Sequence, residues 1–383
     1  MENCPSDLLI KIFSSFNPKE LTNFRKVCRR WDLLIENILE KEDLWRTHCL
    51  KEFKDVYQKQ RLSGLTWPKL YRSLHLWAKL LHATETQEDF AVTSCYKNEI
   101  IGFQLLRSGV IGVHQRFSIV YYNLKTLKKA TDREPILGEY YRYVENDETI
   151  VLMGRNLFII RKILRSAQYA MQTIFACIKN FILKSDELYL VTMDDRIFVC
   201  DLLEEKLNCT LVMAMPANVK CLECVNGRLS VLTADDRIFI ISNNRVISQF
   251  NLHDKCNALD MLRQYNLLNH PYWCNSAWYV EWDLKVVKIY GDMVFVGTRF
   301  GVLKIYHYPY VNNELNLDIS KPIKQYEIHE TPVSPQCHDK NQIIHIDIVE
   351  ECNGHKVFVG TLEKIVVIKF SHKNHYNVSH DQN

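Results

Sequence analysis

The sequence predicts a multidomain α plus all-β chain: an N-terminal three-helix module and a helical linker, followed by a six- or seven-bladed β-propeller. Three observations predict it. Apolar residues in the first eighty positions recur at three and four, the helical period, and from about residue 84 they recur at two. Strand-length runs rich in Val, Ile, Phe and Tyr then alternate with turn residues. One strand-turn-strand unit, Leu188 to Val199, returns 41 residues later as Leu229 to Ile240, and a spacing near 40 is that of one four-stranded blade.

Residues 5 to 45 make the helical module. Pro5 and Ser6 open the first helix, and Leu8, Leu9, Ile12, Phe13 and Phe16 share one of its faces. Asn17-Pro18-Lys19-Glu20 is a stop and a restart, in which Asn17 caps, Pro18 takes the first helical position and Glu20 completes a capping box. Leu21, Phe24, Cys28, Trp31 and Ile35 continue the stripe. Of these 41 residues, 18 are Leu, Ile, Val, Phe, Trp or Cys. A unit this small buries only part of that surface by itself. The excess belongs against another protein, as in a docking module with an exposed apolar face, or against the β domain, as an N-terminal cap.

The same residues resemble an F-box. Cys4-Pro5-Ser6-Asp7-Leu8-Leu9, Ile12-Phe13, Phe16, Glu20-Leu21, Val27-Cys28-Arg29-Arg30-Trp31, Leu34 and Leu44-Trp45 stand at that family's separations. Cys4, Asp7 and Phe16 depart from its usual leucine, glutamate and leucine. The resemblance implies docking onto the Skp-type adaptor, and through it a cullin, of an SCF ubiquitin ligase. The adaptor-contacting positions would be Pro5, Leu8, Leu9, Ile12, Phe13, Leu21, Val27, Cys28, Trp31 and Leu34. The chain would then be the non-catalytic substrate-recognition subunit, its propeller holding a target protein for ubiquitination. An F-box subunit acting outside a ligase, as scaffold or decoy, fits the same residues.

The organisation expected is an F-box at 1–45, a helical linker at 46–83, a WD-repeat-like propeller at 84–371 and a polar tail at 372–383. In the linker, Leu44, Trp45, Cys49, Phe53 and Tyr57 continue a helix that Ser63-Gly64 breaks, and Trp67, Leu70, Leu74 and Trp77 form the inward stripe of the next. In the propeller, Val294-Phe295-Val296-Gly297-Thr298 recurs as Val357-Phe358-Val359-Gly360-Thr361, and weaker copies stand at Val110 to Tyr122 and Thr149 to Ile160. Six blades follow, with a seventh admitted inside either of two long stretches, Asn251 to Trp282 and Tyr308 to Asn341, which are assigned to loops. The repeat resembles WD-repeat blades at Asp201 and the Asp-bearing turns, but Cys200 stands where the Trp of Trp-Asp would be.

Composition is that of a soluble globular protein: 47% apolar, 24% charged and a net charge of +3. Nothing draws it to nucleic acid or membrane, although residues 1 to 82 carry 15 Lys/Arg against 10 Asp/Glu, net +5. The first ten residues lack a basic, apolar leader, so the expectation is a cytoplasmic or nuclear chain whose 13 cysteines are reduced thiols.

No nucleophile, phosphate-loop or metalloprotease motif is present, and no cofactor is expected. Cys221-x-x-Cys224 with His253-x-x-Cys256 has spacing that permits zinc, but residues three apart on a strand point to opposite faces, so structural thiols are expected. An enzyme built on the propeller would need a convergent polar cluster in the central channel. The turns offer cations instead: Arg116, Arg155, Arg196, Arg237, Arg299 and Lys364, one per blade and all on one end. Guanidinium forks grip carboxylates and phosphates, which suits an acidic or phosphorylated target. Asp194, Asp195, Asp235 and Asp236 stand beside two of them and offer the alternative of simple internal pairing.

Overall fold

The computed structural model describes residues 4–53, 65–93, 98–162, 169–184, 186–203, 207–225, 228–235, 237–251, 284–290, 292–307, 321–328 and 341–372. Three short helices come first: α1 (Ser6–Phe13), α2 (Pro18–Phe24) and α3 (Arg29–Leu39). The capping box at α2 is formed as the sequence predicts. Glu20 N–H donates to Asn17 Oδ1 at 2.9 Å, and Asn17 N–H donates to Glu20 Oε2 at 3.1 Å. Leu9, Phe13, Leu21, Ile35 and Ile38 form the core of this module, and every residue packed around them lies between Cys4 and Leu44. Trp31 closes it edge-on to Phe13, with ring centroids 5.0 Å apart. Arg30 ties the start of α3 to the start of α1 through the Cys4 carbonyl at 2.6 Å.

The linker belongs to a different core. Helices α4 (Glu42–Glu52) and α5 (Trp67–Leu76), with the 3-10 turn Trp77–His82, bury Trp45, Cys49, Trp67, Leu70, Leu74 and Trp77 together with Phe295, Ile348 and Phe370 of the β domain. The inward stripe expected of the second linker helix is therefore correct, and it seats the linker on the propeller. A buried polar cluster fixes the seat. Trp77 Nε1–H donates to Glu350 Oε1 at 2.7 Å, Ser73 Oγ–H donates to Glu350 Oε2, and His355 Nδ1 stands 2.8 Å from that same oxygen. The Trp77 and His355 rings stack at 3.7 Å.

Twenty-four strands form six four-stranded antiparallel sheets among the described residues. Blade 1 holds β2 (Ile100–Leu106), β3 (Val110–Gln115), β4 (Ser118–Asn123) and β5 (Ile136–Leu137). Blade 2 holds β6 (Arg142–Glu145), β7 (Thr149–Met153), β8 (Leu157–Lys162) and β9 (Tyr169–Phe175). Blade 3 holds β10 (Ile178–Lys184), β11 (Glu187–Thr192), β12 (Arg196–Asp201) and β13 (Cys209–Ala214). Blade 4 holds β14 (Val219–Val225), β15 (Arg228–Thr233), β16 (Arg237–Ser242) and β17 (Arg245–Asn251). Blade 5 holds β18 (Leu284–Tyr290), β19 (Met293–Thr298), β20 (Val302–His307) and β21 (Lys324–Glu327). Blade 6 takes β22 (His345–Glu351), β23 (Gly354–Gly360) and β24 (Ile365–Ser371), and its fourth strand is β1 (Thr84–Phe90), the first of the β domain. Thr84 pairs with Ser371 and Phe90 with Ile365, so the two ends of the domain close the ring without a long free edge.

Three glycines show how successive blades fit. Gly297 in blade 5 leaves room for Ile343, since an added Cβ would lie 2.5 Å from its Cγ2. Gly360 in blade 6 receives Phe103 of blade 1, and Gly112 in blade 1 receives Tyr143 of blade 2. The repeated Val-Gly-Thr is thus a socket for the next blade.

Three expectations need correction or lie elsewhere. The stretch Tyr308 to Asn341 is not wholly loop, because it supplies β21, the polar outer strand of blade 5. The stretch Asn251 to Trp282 lies outside the described residues apart from its first position. The cysteines are not all thiols: Cys200 and Cys209 face each other across β12 and β13 with Cα atoms 4.4 Å apart and are joined by a disulfide. Antiparallel register brings such a pair into bonding distance, which spacing along the chain does not reveal.

Candidate docking surfaces

The helical module divides the ten sequence-predicted adaptor residues by exposure. Pro5, Leu8, Ile12, Val27 and Cys28 are exposed, with Leu8 at 51%, Ile12 at 44% and Val27 at 59%. Trp31 and Leu34 are half-buried, and Leu9, Phe13 and Leu21 are buried in the module's own core. Pro5, Leu8 and Ile12 are spaced three and four apart and make one outward stripe of α1, opposite Leu9 and Phe13. The motif therefore carries two kinds of information: its inward half builds three helices, and its outward half is an apolar face. Leu33, which the sequence reading passed over, joins the exposed set at 54%. It lies outside both the stripe of Leu21, Phe24, Cys28, Trp31 and Ile35 and the F-box motif positions, so neither signal marks it.

Among the described residues, none of the propeller enters the core of this module. The alternative of an N-terminal cap describes α4 and α5 instead.

The six turn residues do fall on one end of the propeller. Each lies in or beside the turn between the second and third strands of its blade. Four are committed to acids. Arg116 lies 3.8 Å from Glu99, Arg196 lies 2.9 Å from Asp194, Arg237 pairs with Asp235, and Lys364 pairs with Asp89. The Arg237 guanidinium and the Thr233 hydroxyl hold the Asp235 carboxyl down at about 2. The Thr192 hydroxyl, followed by Arg196, lowers that of Asp194. Among the described residues no acid pairs with Arg155 or Arg299. These two stand on blades 2 and 5, which are not adjacent among the described sheets.

A second repeated set, three lysines and one isoleucine, stands on the innermost strands. The innermost strands of blades 1, 3, 4 and 5 each carry one extra residue after their first position: Ile101, Lys179, Lys220 and Lys285. Such a bulge turns the extra side chain out of the pleat. Lys179 reaches Asp195 and Asn218 of the next blade's approach, the latter at 2.9 Å. The repetition has no sequence signature, because a bulge adds one residue without changing residue type.

Cys221 and Cys224 lie on β14 as expected, whereas His253 and Cys256 lie outside the described residues. Among the described residues no three His, Cys, Asp or Glu side chains could hold a metal ion, and no helix is long and apolar enough to cross a membrane. A cavity of about 440 Å³ opens at the edge of blade 3 between Lys184, Glu187, Asp201, Asn208 and Thr210.

Residues 1–51 match the family model described as F-box-like. No curated protein sequence matches the chain. Among solved structures, the N-terminal domain of Nup159 is similar at 10% identity and a TM-score of 0.43, covering 76% of this chain and 96% of that one. Hsv2 of Kluyveromyces lactis is similar at 11% identity and a TM-score of 0.35, covering 68% and 90%. The chain carries an F-box-like domain with an exposed apolar face, followed by a propeller-like β domain closed by its own first strand.

Proposed function

We propose that this chain is a substrate-recognition subunit of an SCF-type ubiquitin ligase. The exposed stripe Pro5, Leu8 and Ile12, with Val27, Cys28 and Leu33, docks on a Skp-type adaptor and through it on a cullin. The propeller holds a target protein. Ubiquitin chemistry takes place on other subunits, and this chain contributes proximity, raising the effective concentration of target lysines near a charged conjugating enzyme.

One observation carries the reading. A module that matches the F-box-like model leaves large aliphatic side chains in solvent beside a core of its own. An uncovered apolar face of this kind is a partner surface. The seat of the linker on blades 5 and 6 supports the reading further, because a receptor must hold its target at a fixed offset from the adaptor.

The test is affinity purification of the full chain from cells, scored for adaptor and cullin. Both should co-purify with wild type, and both should be lost with Leu8→Asp/Ile12→Asp. Recovery of the adaptor without any cullin would refute the ligase role and leave adaptor binding alone.

A further inference from the structure

The turns joining the two middle strands of each blade, with the connections between blades, make one end; the remaining turns make the other. The linker is attached to the second end, where Ser73 and Trp77 reach Glu350 beside the turn from β22 to β23. Among the described residues, large exposed apolar side chains stand on the first end at Ile101, Phe117, Leu137, Tyr141, Met193 and Phe300.

They are densest where blade 1 meets blade 2. The connection from β5 to β6 runs Leu137-Gly138-Glu139-Tyr140-Tyr141 and is pinned at three points. Gly138 N–H donates to the Phe117 carbonyl at 3.0 Å, and Tyr141 N–H donates to the Met153 carbonyl at 2.8 Å. His114 Nε2–H donates to the Tyr140 carbonyl at 2.8 Å. The residues between the pins alternate: Leu137 at 77% exposure, Glu139 and Tyr141 at 58% point outward, while Ile136 and Tyr140 are half-buried. Phe117 flanks this strap on the blade 1 side, under the Arg116 guanidinium. Arg155, exposed and without an acidic partner among the described residues, flanks it on the blade 2 side, next to Gly154, whose position abuts the Glu139 carbonyl.

Phe, Tyr and an Arg with no acidic partner among the described residues, held on a pinned backbone, are the residue types enriched at binding interfaces, and Leu137 adds apolar area beside them. Pinning the strap in advance removes most of the ordering cost of binding to it. We propose that this strap is where the propeller grips its target, and that the occupant is an extended peptide segment bearing large apolar side chains and a carboxylate. The apolar groups cover Phe117, Leu137 and Tyr141. The carboxylate meets Arg155, and Glu139 keeps it off the centre of the strap. The proposal rests on the substrate-receptor reading and narrows its cation ring to one member.

The experiment pans a phage-displayed random-peptide library on the purified full chain, then measures the enriched peptides by fluorescence anisotropy. Enriched sequences should pair aromatic or aliphatic residues with Asp or Glu. Their Kd should rise about tenfold or more with Leu137→Asp/Tyr141→Ala and several-fold with Arg155→Glu, and stay unchanged with Arg196→Glu. No enrichment, a basic consensus, or equal affinity for the strap variants would overturn the proposal. All substituted side chains are exposed, so the variants should melt with wild type, and circular dichroism checks this. Titration of a Skp-type adaptor into the same proteins separates the two ideas. Loss of peptide binding with adaptor binding intact tests the strap, and wild type that binds peptide but not adaptor refutes the receptor reading alone.

Discussion

Replacing Trp77 by Phe should release the helical linker from the propeller while leaving the ring closed. The indole N–H donates to a carboxylate oxygen of Glu350, which is 0% exposed, and that carboxylate has no water to replace the lost donor. A hydrogen bond to a buried charge contributes about 1.5–3 kcal/mol, and the smaller ring leaves a void costing roughly 1 kcal/mol more. The expected loss is therefore about 3 kcal/mol, or some two decades of protection for amides that exchange by opening of this junction. Hydrogen exchange read by mass spectrometry is the assay, because a chain with several units has no single unfolding free energy. Peptides from α5 and from the β22–β23 turn should lose protection, and those from blades 2 to 4 should keep it. Glu350→Gln should cause a similar local loss, and the double variant should lose less than both together because one bond is shared. Acid should act on the same contact. Burial alone would raise the Glu350 carboxyl, but His355, Ser73 and Trp77 outweigh it and hold the group below its ordinary range. A carboxylate depressed in the folded state contributes its stability above the unfolded pKa and loses it as pH falls through the folded one. Protection of α5 should thus be flat from neutral pH down to the usual carboxylate range and fall below it. Unchanged exchange in Trp77→Phe, or a loss spread evenly over all blades, would refute this account of the junction.

Three further outcomes follow from individual sites. Leu9→Ala, in the core of the helical module, should cost about 2–5 kcal/mol of that module's stability, whereas the neighbouring Leu8→Ala should change it by less than about 0.5 kcal/mol; thermal unfolding followed by circular dichroism distinguishes them. Burial pushes the His114 imidazole down to about 4, against the pull of its bond to the Tyr140 carbonyl, so the unfolded chain takes up a proton first as pH falls below about 6.5. Stability should decline from there towards pH 4, and His114→Gln should remove up to about 3 kcal/mol of that decline in denaturant titrations at each pH. Alkylation without reductant should label the exposed Cys28 but neither Cys200 nor Cys209, and Cys209→Ser should cost about 2–3 kcal/mol of loop-closure stabilisation; labelling of both would show the pair to be thiols.

What could be read in the sequence was what repeats in residue type. The hairpins at Leu188 to Val199 and Leu229 to Ile240 are β11–β12 and β15–β16, the two middle strands of their blades. Middle strands are covered on both faces, so they are continuously apolar and joined by tight turns. Outer strands have one open edge and spell polar sequences, which is why Lys324–Glu327 was legible only as loop and why Thr84–Phe90 gave no hint that it would pair with Ile365–Ser371. The docking motif was legible position by position, but its division into core and surface was not. Leu8 and Leu9 are the same residue type in adjacent places, and only the direction of packing tells that Leu9 holds the module together and Leu8 faces out. The turn cations lie in or beside equivalent turns of their blades, a placement that the repeat implies. Their pairing with Asp194, Asp235, Asp89 and Glu99 needed distances, and the strap from Leu137 to Tyr141 needed the hydrogen bonds that pin it.

The central claim is that the outward face of α1 and its neighbours at Val27 and Leu33 is an adaptor site. Isothermal titration of a purified Skp-type adaptor into the full chain tests it most directly. Leu8 and Ile12 each have about half their surface left to bury, worth roughly 1 kcal/mol apiece, and an aspartate at either place would add a desolvation cost of several kcal/mol. The account predicts a one-to-one complex with wild type, and none with Leu8→Asp/Ile12→Asp at unchanged helix content. Wild type that fails to bind, or a variant that binds as tightly, would contradict it.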